Sequence, residues 1–200
     1  MIIGLTGSFG SGKTTVSKMF KGLGANIIDA DKVYHSLITP RERLYKGIIG
    51  LFGKDILKKD RTIDRKKLSS VVFKDRGRLR RLNSLTHPCV ISEIKKISAK
   101  QKGVVILEAP LLFESGLFKD MNKIIVVKAS VATQVKRLRI SKGLKAGLVL
   151  ERIRMQMPLK KKLAFADFII DNDGTKKTTN SQVIKIWERL GAIYGTDSKT

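Results

Sequence analysis

A glycine-rich segment near the start of the chain ends in a lysine and two threonines, which is the composition of a loop that binds phosphate. Residues 7–14 have the sequence Gly-Ser-Phe-Gly-Ser-Gly-Lys-Thr and fit the pattern G-x-x-x-x-G-K-[ST]. Glycines at these places let successive main-chain N–H groups turn toward phosphate oxygens at the start of a helix. The pattern therefore predicts that the phosphates of a nucleotide contact Gly10, Ser11, Gly12, Lys13, Thr14 and Thr15.

Two of these side chains have chemistry of their own. Lys13 would reach the β- and γ-phosphates of ATP, and the Thr14 hydroxyl would hold Mg²⁺. The flanking sequence supports this interpretation, because an apolar run typical of a buried parallel strand precedes the loop (Ile2, Ile3 and Leu5) and a helical pattern follows it. A glycine-rich turn without a ligand is the alternative, and it accounts for neither flank.

Acidic residues end two of the predicted strands. Asp29 and Asp31 lie at the end of the strand over residues 26–29, and Glu108 closes the strand over residues 103–108. Ligands of open α/β sheets gather at the carboxyl ends of the strands, so Asp29 and Asp31 are expected to face the same crevice as the phosphate loop. Asp31 either orients an acceptor hydroxyl or caps the next helix, and one residue can do both. Asp29 is the rival for the first role, or it helps to place the water of Mg²⁺ or supports the loop. Glu108 either lies near the water shell of Mg²⁺ or is a strand-end turn residue.

The composition sets the size of the fold and raises the question of partners. The chain has 200 residues, of which 42% are apolar, enough to bury a full core as one domain. Its 41 Lys and Arg against 17 Asp and Glu give a net charge of +24, which favours polyanionic partners or reflects a general lysine bias. The basic residues are spread along the whole chain, which favours the second interpretation for most of the excess.

A single cysteine, Cys89, excludes an internal disulfide and fits a reducing compartment. The first residues already belong to a predicted strand and loop, which leaves no room for a secretory leader. No apolar run approaches the roughly 20 residues that span a bilayer. We therefore expect a soluble, cytoplasmic protein that does not enter a membrane.

Hydrophobic periodicity predicts the order of the elements. Apolar runs predict strands over residues 2–5, 26–29, 103–108, 123–127 and 166–170. Helical spacing predicts helices over residues 14–22, 31–38, 41–52, 64–73 and 76–86, with Pro88 opening a further helix at its first turn. The helices between the second and third strands exceed a simple crossover, so residues 38–86 are interpreted as an inserted helical subdomain.

A basic stretch follows the fourth strand. Val131, Val135 and Leu138 mark a helix, and residues 136–162 contain ten Lys or Arg with Glu151 as the only acid. Val183, Ile186, Trp187 and Leu190 give the core face of a final helix.

Many short strings, in this order and spacing, resemble the dephospho-coenzyme A kinase family nearly from one end of the chain to the other. They are Ile3–Gly7 with Gly10–Thr15, Ile28–Asp31, Phe52-Gly53, Asp64-Arg65 with Val72-Phe73, Leu82-Asn83, His87-Pro88, Pro110–Glu114, Gln134 with Arg137-Leu138, Arg152-Ile153 with Gln156, and Ala166-Asp167 with Asn172 and Gly174. The resemblance implies a P-loop NTPase fold of the α/β class: a five-stranded parallel sheet with helices on both faces in three layers. It also implies one kinase domain over residues 1–200, with a coenzyme A-binding subdomain at about 38–86 and a lid at about 136–162.

The resemblance further implies an activity and a set of site residues. A member of this family transfers phosphate from ATP, with Mg²⁺, to the ribose 3′-hydroxyl of dephospho-coenzyme A, the last step of coenzyme A synthesis. The implied catalytic residues are Asp31 as the base, Lys13 and Lys142. The implied metal ligands are Thr14 and Glu108, and the implied substrate-binding residues are Asp29, Arg65, His87, Leu111, Glu114 and Arg137.

Several of these roles have alternatives. Arg137 and Lys142 either close over the triphosphate as lid cations or belong to a basic, solvated helix. Arg65 either pairs with a substrate phosphate or solvates a helix face. His87 either supports a helix start or lines the coenzyme A cleft.

The chain departs from the family's usual residues at four positions. Ser8 and Phe9 replace Gly and Ile, at places that the loop pattern leaves open, and Arg61 replaces a common Gly. Lys142 stands at a lid position that usually carries Arg. Lysine neutralises charge but lacks the planar fork that grips two phosphate oxygens, so the geometry there should loosen.

Two other functions are compatible with the loop. A kinase for a nucleoside, shikimate or a sugar would share the loop and the lid, but it gives no reason for the string Pro110–Glu114. A nucleic-acid-binding switch NTPase would account for the net charge, but no Arg-Gly-rich or aromatic-interleaved segment supports it. We therefore expect a small-molecule substrate, no nucleic acid partner, and a monomer or weak homo-oligomer.

Overall fold

The computed structural model describes residues 1–72 and 75–194. The strands are β1 (Ile2–Gly7), β2 (Asn26–Asp29), β3 (Val105–Glu108), β4 (Lys123–Lys128) and β5 (Phe168–Asp171). They form one sheet in the order β2-β3-β1-β4-β5, in which β1 pairs in parallel with β3 and β4, and β4 with β5. The predicted five-stranded parallel sheet is confirmed, although some strands begin or end slightly away from the predicted residues.

The helices are α1 (Lys13–Gly22), α2 (Ala30–Leu37), α3 (Arg43–Phe52), α4 (Arg65–Val72), α5 (Arg76–Ala99), α6 (Val131–Lys142), α7 (Ala146–Arg154), α8 (Leu159–Ala164) and α9 (Lys176–Tyr194). The chain divides into two compact units, one of Met1–Ile28 with the chain from Gln101 onward, the other of Asp29–Lys100. Within the described ranges, no helix is both long enough and apolar enough to cross a membrane.

The core of the first unit lies between the sheet and two helices. Ile3 and Leu5 of β1 are completely buried, in one cluster with side chains of α1 (Val16 and Phe20) and α9 (Val183, Ile186 and Leu190). The predicted core face of the last helix is therefore confirmed. Burying each large aliphatic side chain contributes about 2–3 kcal/mol relative to exposure, so this cluster holds β1, and the loop that follows it, in place.

The second unit has a core of its own, built from α3, α4, α5 and the loop between α3 and α4. Its fully or nearly fully buried members are Ile48, Ile56, Ile63, Leu68, Val72 and Leu82. The Tyr45 hydroxyl donates a hydrogen bond to the carbonyl of Arg61 in that loop. Arg61 has φ 63°, a left-handed conformation that glycine adopts at lower cost. Phe73, the predicted end of α4, lies outside the described residues.

The prediction that Pro88 opens a helix is wrong. α5 runs without a break from Arg76 to Ala99, with Pro88 in its interior. Proline removes one main-chain donor from the helix, a loss that packing can outweigh. Leu82 lies before Pro88 and Val90 and Ile94 after it, and all three are buried, so tertiary contacts on both sides keep the helix continuous.

Candidate nucleotide-binding site

The segment between β1 and α1 forms a tight loop in which glycine is required at two places. Gly10 and Gly12 have φ 82° and 92°, in the left-handed region. A Cβ on Gly10 would come 2.6 Å from Leu138, and one on Gly12 would collide with the amide of Asn172. Gly12, which the pattern specifies, and Gly10, at a position that the pattern leaves open, are therefore required both by the backbone conformation and by the packing around it.

The first turn of α1 is left open for an anion. α1 begins after Gly12, which has no side chain to cap it, and its first turn contains no acidic residue. The start of α1 therefore has no capping side chain and no carboxylate to compete with phosphate oxygens for the positive end of the helix dipole, while the Thr15 N–H already donates to the carbonyl of Gly12.

Lys13 lies over this loop. It is only 8% exposed, and its Nζ donates to the carbonyls of Gly7 at 3.2 Å and Ser8 at 3.1 Å. These contacts hold a full positive charge at the loop, where the pattern predicts the β- and γ-phosphates.

The predicted metal ligands meet each other. The Thr14 hydroxyl donates to Glu108 Oε1 at 2.6 Å, and the Ser17 hydroxyl donates to Glu108 Oε2 at 2.7 Å. Glu108, at the end of β3, is 8% exposed. Oxygen atoms of this kind suit Mg²⁺, which usually takes one or two protein ligands and completes its shell with phosphate and water. The described residues contain no group of three or more His, Cys, Asp or Glu side chains that could hold a metal ion.

Asn172, just beyond β5, fixes the loop from the other side. Its Nδ2 donates to the carbonyl of Ser11 at 2.8 Å, and its Oδ1 accepts from the Thr179 hydroxyl at 2.9 Å, both bonds being buried. Sequence analysis placed Asn172 only within the family resemblance and gave it no role. The available signal was its position directly after a buried strand, at the carboxyl edge of the sheet.

Helix α6 presents polar groups to the same loop. Ser11 Oγ, Gln134 Oε1 and Arg137 Nη1 are buried and have no hydrogen-bond partner among the described residues. Arg137 Nη1 lies 3.6 Å from where a Cβ on Gly12 would be, and the backbone of Gly10 packs on Gln134 and Leu138. Leaving such groups unsatisfied costs about 1–3 kcal/mol each, so their concentration here is what a site for a polar ligand requires.

Arg137 also influences the turn after β5. Hydrogen bonds from the Thr133 hydroxyl and the Ser130 N–H, and to a smaller extent the charge of Arg137, hold the pKa of the Asp173 carboxyl below its ordinary value. The Asp173 carboxylate in turn accepts from the Ser130 N–H at 2.8 Å. The start of α6 is thus tied to the end of β5, which places Arg137 beside the loop.

Lys142, the last residue of α6, also reaches the loop. Its Nζ lies 6.0 Å from the centroid of the Phe9 ring, and Arg152 Cζ of α7 lies 5.2 Å from the same centroid. The N–H of Phe9 donates to Gln156 Oε1 at 2.8 Å. The structure therefore brings the two predicted lid cations, Arg137 and Lys142, to the phosphate loop. It adds Arg152, which belongs to the strings of the family resemblance but had no predicted role.

The segment Pro110–Glu114 is held by a buried lysine. Lys162 is completely buried, and its Nζ lies 3.0 Å from the carbonyl of Pro110 and 3.3 Å from Glu114 Oε1. The same Oε1 accepts the N–H of Met157 at 2.8 Å. Burial lowers the pKa of Lys162, while the Glu114 carboxylate opposes that shift. The carboxylate thus joins this segment to the chain after α7, and the predicted substrate contact of Glu114 stays a prediction.

Leu111, in contrast, is 49% exposed, whereas Leu112 beside it is completely buried. Its side chain is thus accessible to a ligand, as its predicted contact with the substrate requires. That contact, too, stays a prediction.

In the second unit, the helix cap is Asp29 and not Asp31. Asp29 Oδ1 accepts the N–H of Lys32 at 3.1 Å, at the start of α2. The alternative interpretation of Asp31 as the cap is therefore wrong, because Asp31 is the second residue of α2 and Ala30 separates it from β2.

His35 follows Asp31 by one helical turn and was not predicted as a site residue. Burial and the nearby Arg65 lower its pKa, and the carboxylates of Asp31 and Asp29 act in the opposite direction. His35 Nδ1 is buried without a hydrogen-bond partner among the described residues. The spacing of four residues from Asp31 was the signal for a shared helix face.

Arg65 begins α4 and lines a pocket of about 770 Å³ in the second unit, together with His35, Thr39, Lys58, Thr62 and Lys66.

His87 is not among the residues that line this pocket. His87 lies inside α5, and burial lowers the pKa of its imidazole. The interpretation of His87 as a helix-start residue is wrong, because α5 begins well before it, and its contact with substrate stays a prediction.

Comparisons with known proteins agree with one another. The model of the dephospho-CoA kinase family (CoaE) matches residues 1–178. The dephospho-CoA kinase of Aquifex aeolicus is 42% identical over 190 residues, which cover 94% of this chain and 96% of that protein.

Two solved structures are similar to this chain over nearly its whole length. The crystal structure of TT1252 from Thermus thermophilus is similar with a TM-score of 0.86 and 30% identity, over 95% of this chain and 97% of that one. A dephospho-CoA kinase from Campylobacter jejuni matches with a TM-score of 0.69 and 28% identity, over 96% and 97% of the two chains.

Proposed function

The chain belongs to the dephospho-CoA kinase family, and we propose that its phosphate loop binds ATP and that the γ-phosphoryl group passes to the ribose 3′-hydroxyl of dephospho-coenzyme A, giving coenzyme A and ADP. One observation carries this proposal. A glycine loop with Lys13 folded over it, and a Thr14–Glu108 pair beside it, lie inside a chain that the family model matches over residues 1–178.

The phosphate side of the reaction is supported by the contacts of the first unit. Transfer of a phosphoryl group needs positioning and charge compensation more than covalent chemistry. The open first turn of α1 and the Lys13 ammonium would receive the β- and γ-phosphates. The buried, unsatisfied atoms of Ser11, Gln134 and Arg137 are available to the rest of the nucleotide.

Thr14 and Glu108 would hold Mg²⁺. When bound, the ion would neutralise charge on the β- and γ-phosphates during transfer. Glu108 is held in advance by the two hydroxyls of Thr14 and Ser17, so its carboxylate needs little reorganisation to serve an ion or its water shell.

The acceptor side rests on Asp31. A carboxylate must accept or orient the proton of the attacking hydroxyl. Asp31 lies in the first turn of α2, two residues beyond the carboxyl end of β2, and parallel sheets collect their ligands at that end of their strands. Asp29 caps α2 through Oδ1 and is kept as the rival candidate for the base or as a helper toward the water of Mg²⁺. Arg65, His87, Leu111 and Glu114 are retained as proposed contacts of the substrate.

Lys142 and Arg137 would close over the triphosphate. Their side chains reach the loop from one helix, so closure could exclude water and protect ATP from hydrolysis. We further propose that the protein acts in the cytoplasm as a monomer or weak homo-oligomer, with no nucleic acid partner.

The test is a coupled assay of ADP formation by the purified protein with ATP·Mg²⁺. Dephospho-coenzyme A should support turnover, whereas shikimate, a nucleoside and a sugar should give rates near the background of ATP hydrolysis. A higher kcat/KM for one of those other acceptors would replace the proposed substrate. Turnover that depends on RNA or DNA and falls steeply with salt would indicate a nucleic-acid-dependent NTPase instead.

A further inference from the structure

Phe9 lies inside the phosphate loop, and its ring contacts one cation from each of two helices. Its half-buried ring has Arg152 Cζ 5.2 Å and Lys142 Nζ 6.0 Å from its centroid. Both distances are within the range of about 6 Å at which a cation is attracted to the face of an aromatic ring. Lys142 ends α6 and Arg152 belongs to α7, so the ring is where these two helices meet the loop.

A ring holds a cation differently from a carboxylate. The ring attracts the cation through its quadrupole and carries no net charge, so the positive charge is positioned without being neutralised. In the described part of the chain, no carboxylate forms an ion pair with Lys142 or Arg152. Two like charges beside one ring also repel each other, and an arriving polyanion would relieve that repulsion.

The main chain of Phe9 makes a second tie to the same region. Its N–H donates to Gln156 Oε1 at 2.8 Å, just beyond the end of α7. Side chain and backbone of one loop residue therefore contact residues 142–156 at three points. A change in Phe9 that spares the backbone bond would isolate the contribution of the ring.

We propose that Phe9 is a positioning residue that presents Lys142 and Arg152, still fully charged, to the triphosphate of ATP on the loop. The inference rests on the proposed function, because it takes ATP as the ligand. Phe9 itself touches no reacting atom and acts through the two cations. The contribution of the Phe9 ring to ATP binding should therefore vanish when both cations are removed. A contribution that came from packing alone would persist.

The experiment is a double-mutant cycle read out by calorimetric binding of the non-hydrolysable analogue β,γ-imido-ATP with Mg²⁺. Phe9→Leu removes the ring and keeps an apolar side chain, and Phe9→Trp keeps an aromatic face. We expect Phe9→Leu to weaken binding about fivefold and Phe9→Trp to stay within about twofold of the parent, as loss and retention of cation–π contacts predict. In the Lys142→Gln/Arg152→Gln background, Phe9→Leu should have no further effect.

A second readout uses the protein without nucleotide. Amide hydrogen exchange over residues 142–156 should be faster in Phe9→Leu than in Phe9→Trp, because the ring no longer holds the two helices. Arg154→Gln is the matched control: Arg154 is an exposed cation of α7 two residues from Arg152, and its loss should change neither exchange nor binding.

The proposal is overturned if Phe9→Leu weakens binding equally with and without the two cations, or if Phe9→Trp weakens it as much as Phe9→Leu. Failure of the proposed function looks different. In that case the parent protein does not phosphorylate dephospho-coenzyme A, whatever the outcome of the binding cycle.

Discussion

Helix α1, which follows the phosphate loop, begins differently from three helices of the second unit. In the second unit, Asp29, Asp64 and Asp75 each accept main-chain N–H bonds at the start of a helix. In the first unit, α1 starts at Gly12 with no cap and no acid in its first turn. A cap satisfies the first N–H groups of a helix from within, and its absence leaves them for a ligand.

Among the described residues, buried polar side chains are more numerous in the first unit, although His35 Nδ1 and Ser98 Oγ of the second unit are also buried without a hydrogen-bond partner there. Around the phosphate loop, Lys13, Glu108 and Asn172 are buried and hydrogen-bonded. Ser11 Oγ, Gln134 Oε1 and Arg137 Nη1 are also buried there, without a hydrogen-bond partner among the described residues. In the second unit, Arg65 and its neighbours line an open pocket. The first unit is therefore organised to fix phosphate geometry, and substitutions there should change chemistry, whereas many in the second should change stability alone.

Asp31 belongs to the second unit but has a proposed role in the chemistry. Of the substitutions considered, Asp31→Asn should lower kcat the most. Loss of a general base costs about 10²–10⁴-fold in kcat, while binding of an ATP analogue should persist. Asp75→Asn is the control, since asparagine also caps helices and Asp75 has no proposed role in the reaction, so turnover should stay largely intact. An Asp31→Asn protein that loses nucleotide affinity would assign this residue to the metal instead.

Lys13→Ala tests the first unit. It should lower kcat on the order of 10²-fold or more, because it removes a preorganised charge from the transferred phosphate. The control is Lys18→Ala, an exposed lysine of the same helix. Near-normal steady-state turnover of Lys13→Ala would contradict the account of the loop.

Asp75→Ala should affect stability and not turnover. It removes the cap of α5 and should lower the thermal midpoint by roughly 2–4 °C, whereas Asp75→Asn should lower it less. N–H bonds from Arg78 and Gly77 hold the pKa of Asp75 below its ordinary 3.8. This stabilisation is therefore present above pH 3.8 and lost as the pH falls through the lower, folded-state pKa, so the two midpoints should converge in acid.

Arg61→Gly should raise the stability of the second unit. Arg61 has φ 63°, and glycine removes that strain while adding freedom to the unfolded chain. We expect a net gain of about 0.5–1 kcal/mol in the free energy of unfolding. Arg61→Ala keeps the strained backbone and should show no such gain in denaturant titrations.

Lys142→Arg should have the smallest effect. Arginine keeps the charge near Phe9 and adds a planar fork, so kcat should be unchanged or higher by up to about threefold. A large loss in steady-state kcat would show that Lys142 does not contact phosphate.

The sheet and the phosphate loop could be predicted because their signals are local. An apolar strand, a glycine pattern and a helical spacing lie within the first residues of the chain, and each fixes a backbone conformation directly. The long α5 could not be predicted, since the residues that keep it continuous past Pro88 act through packing with other helices. The local sequence at Pro88 favours a helix break, but the free energy of tertiary packing outweighs that preference.

The remaining parts of the site depend on contacts between distant residues. Gln134 is buried against the loop, while Val131, which marked the helix face, is 47% exposed. Lys162 is completely buried, although nothing in the run Lys160–Lys162 distinguishes it from its neighbours. Phe9 occupies a place that the pattern leaves open, and its contacts come from residues more than a hundred positions away.

The central claim is that the loop delivers a phosphoryl group to one hydroxyl of dephospho-coenzyme A. ³¹P NMR of the purified protein with ATP, Mg²⁺ and dephospho-coenzyme A tests it directly. We predict that ADP and a 3′-phosphomonoester of the nucleotide appear in equal amounts, and that Lys13→Ala forms neither at a comparable rate. ADP accompanied by inorganic phosphate alone, or a phosphate on another position, would contradict the account.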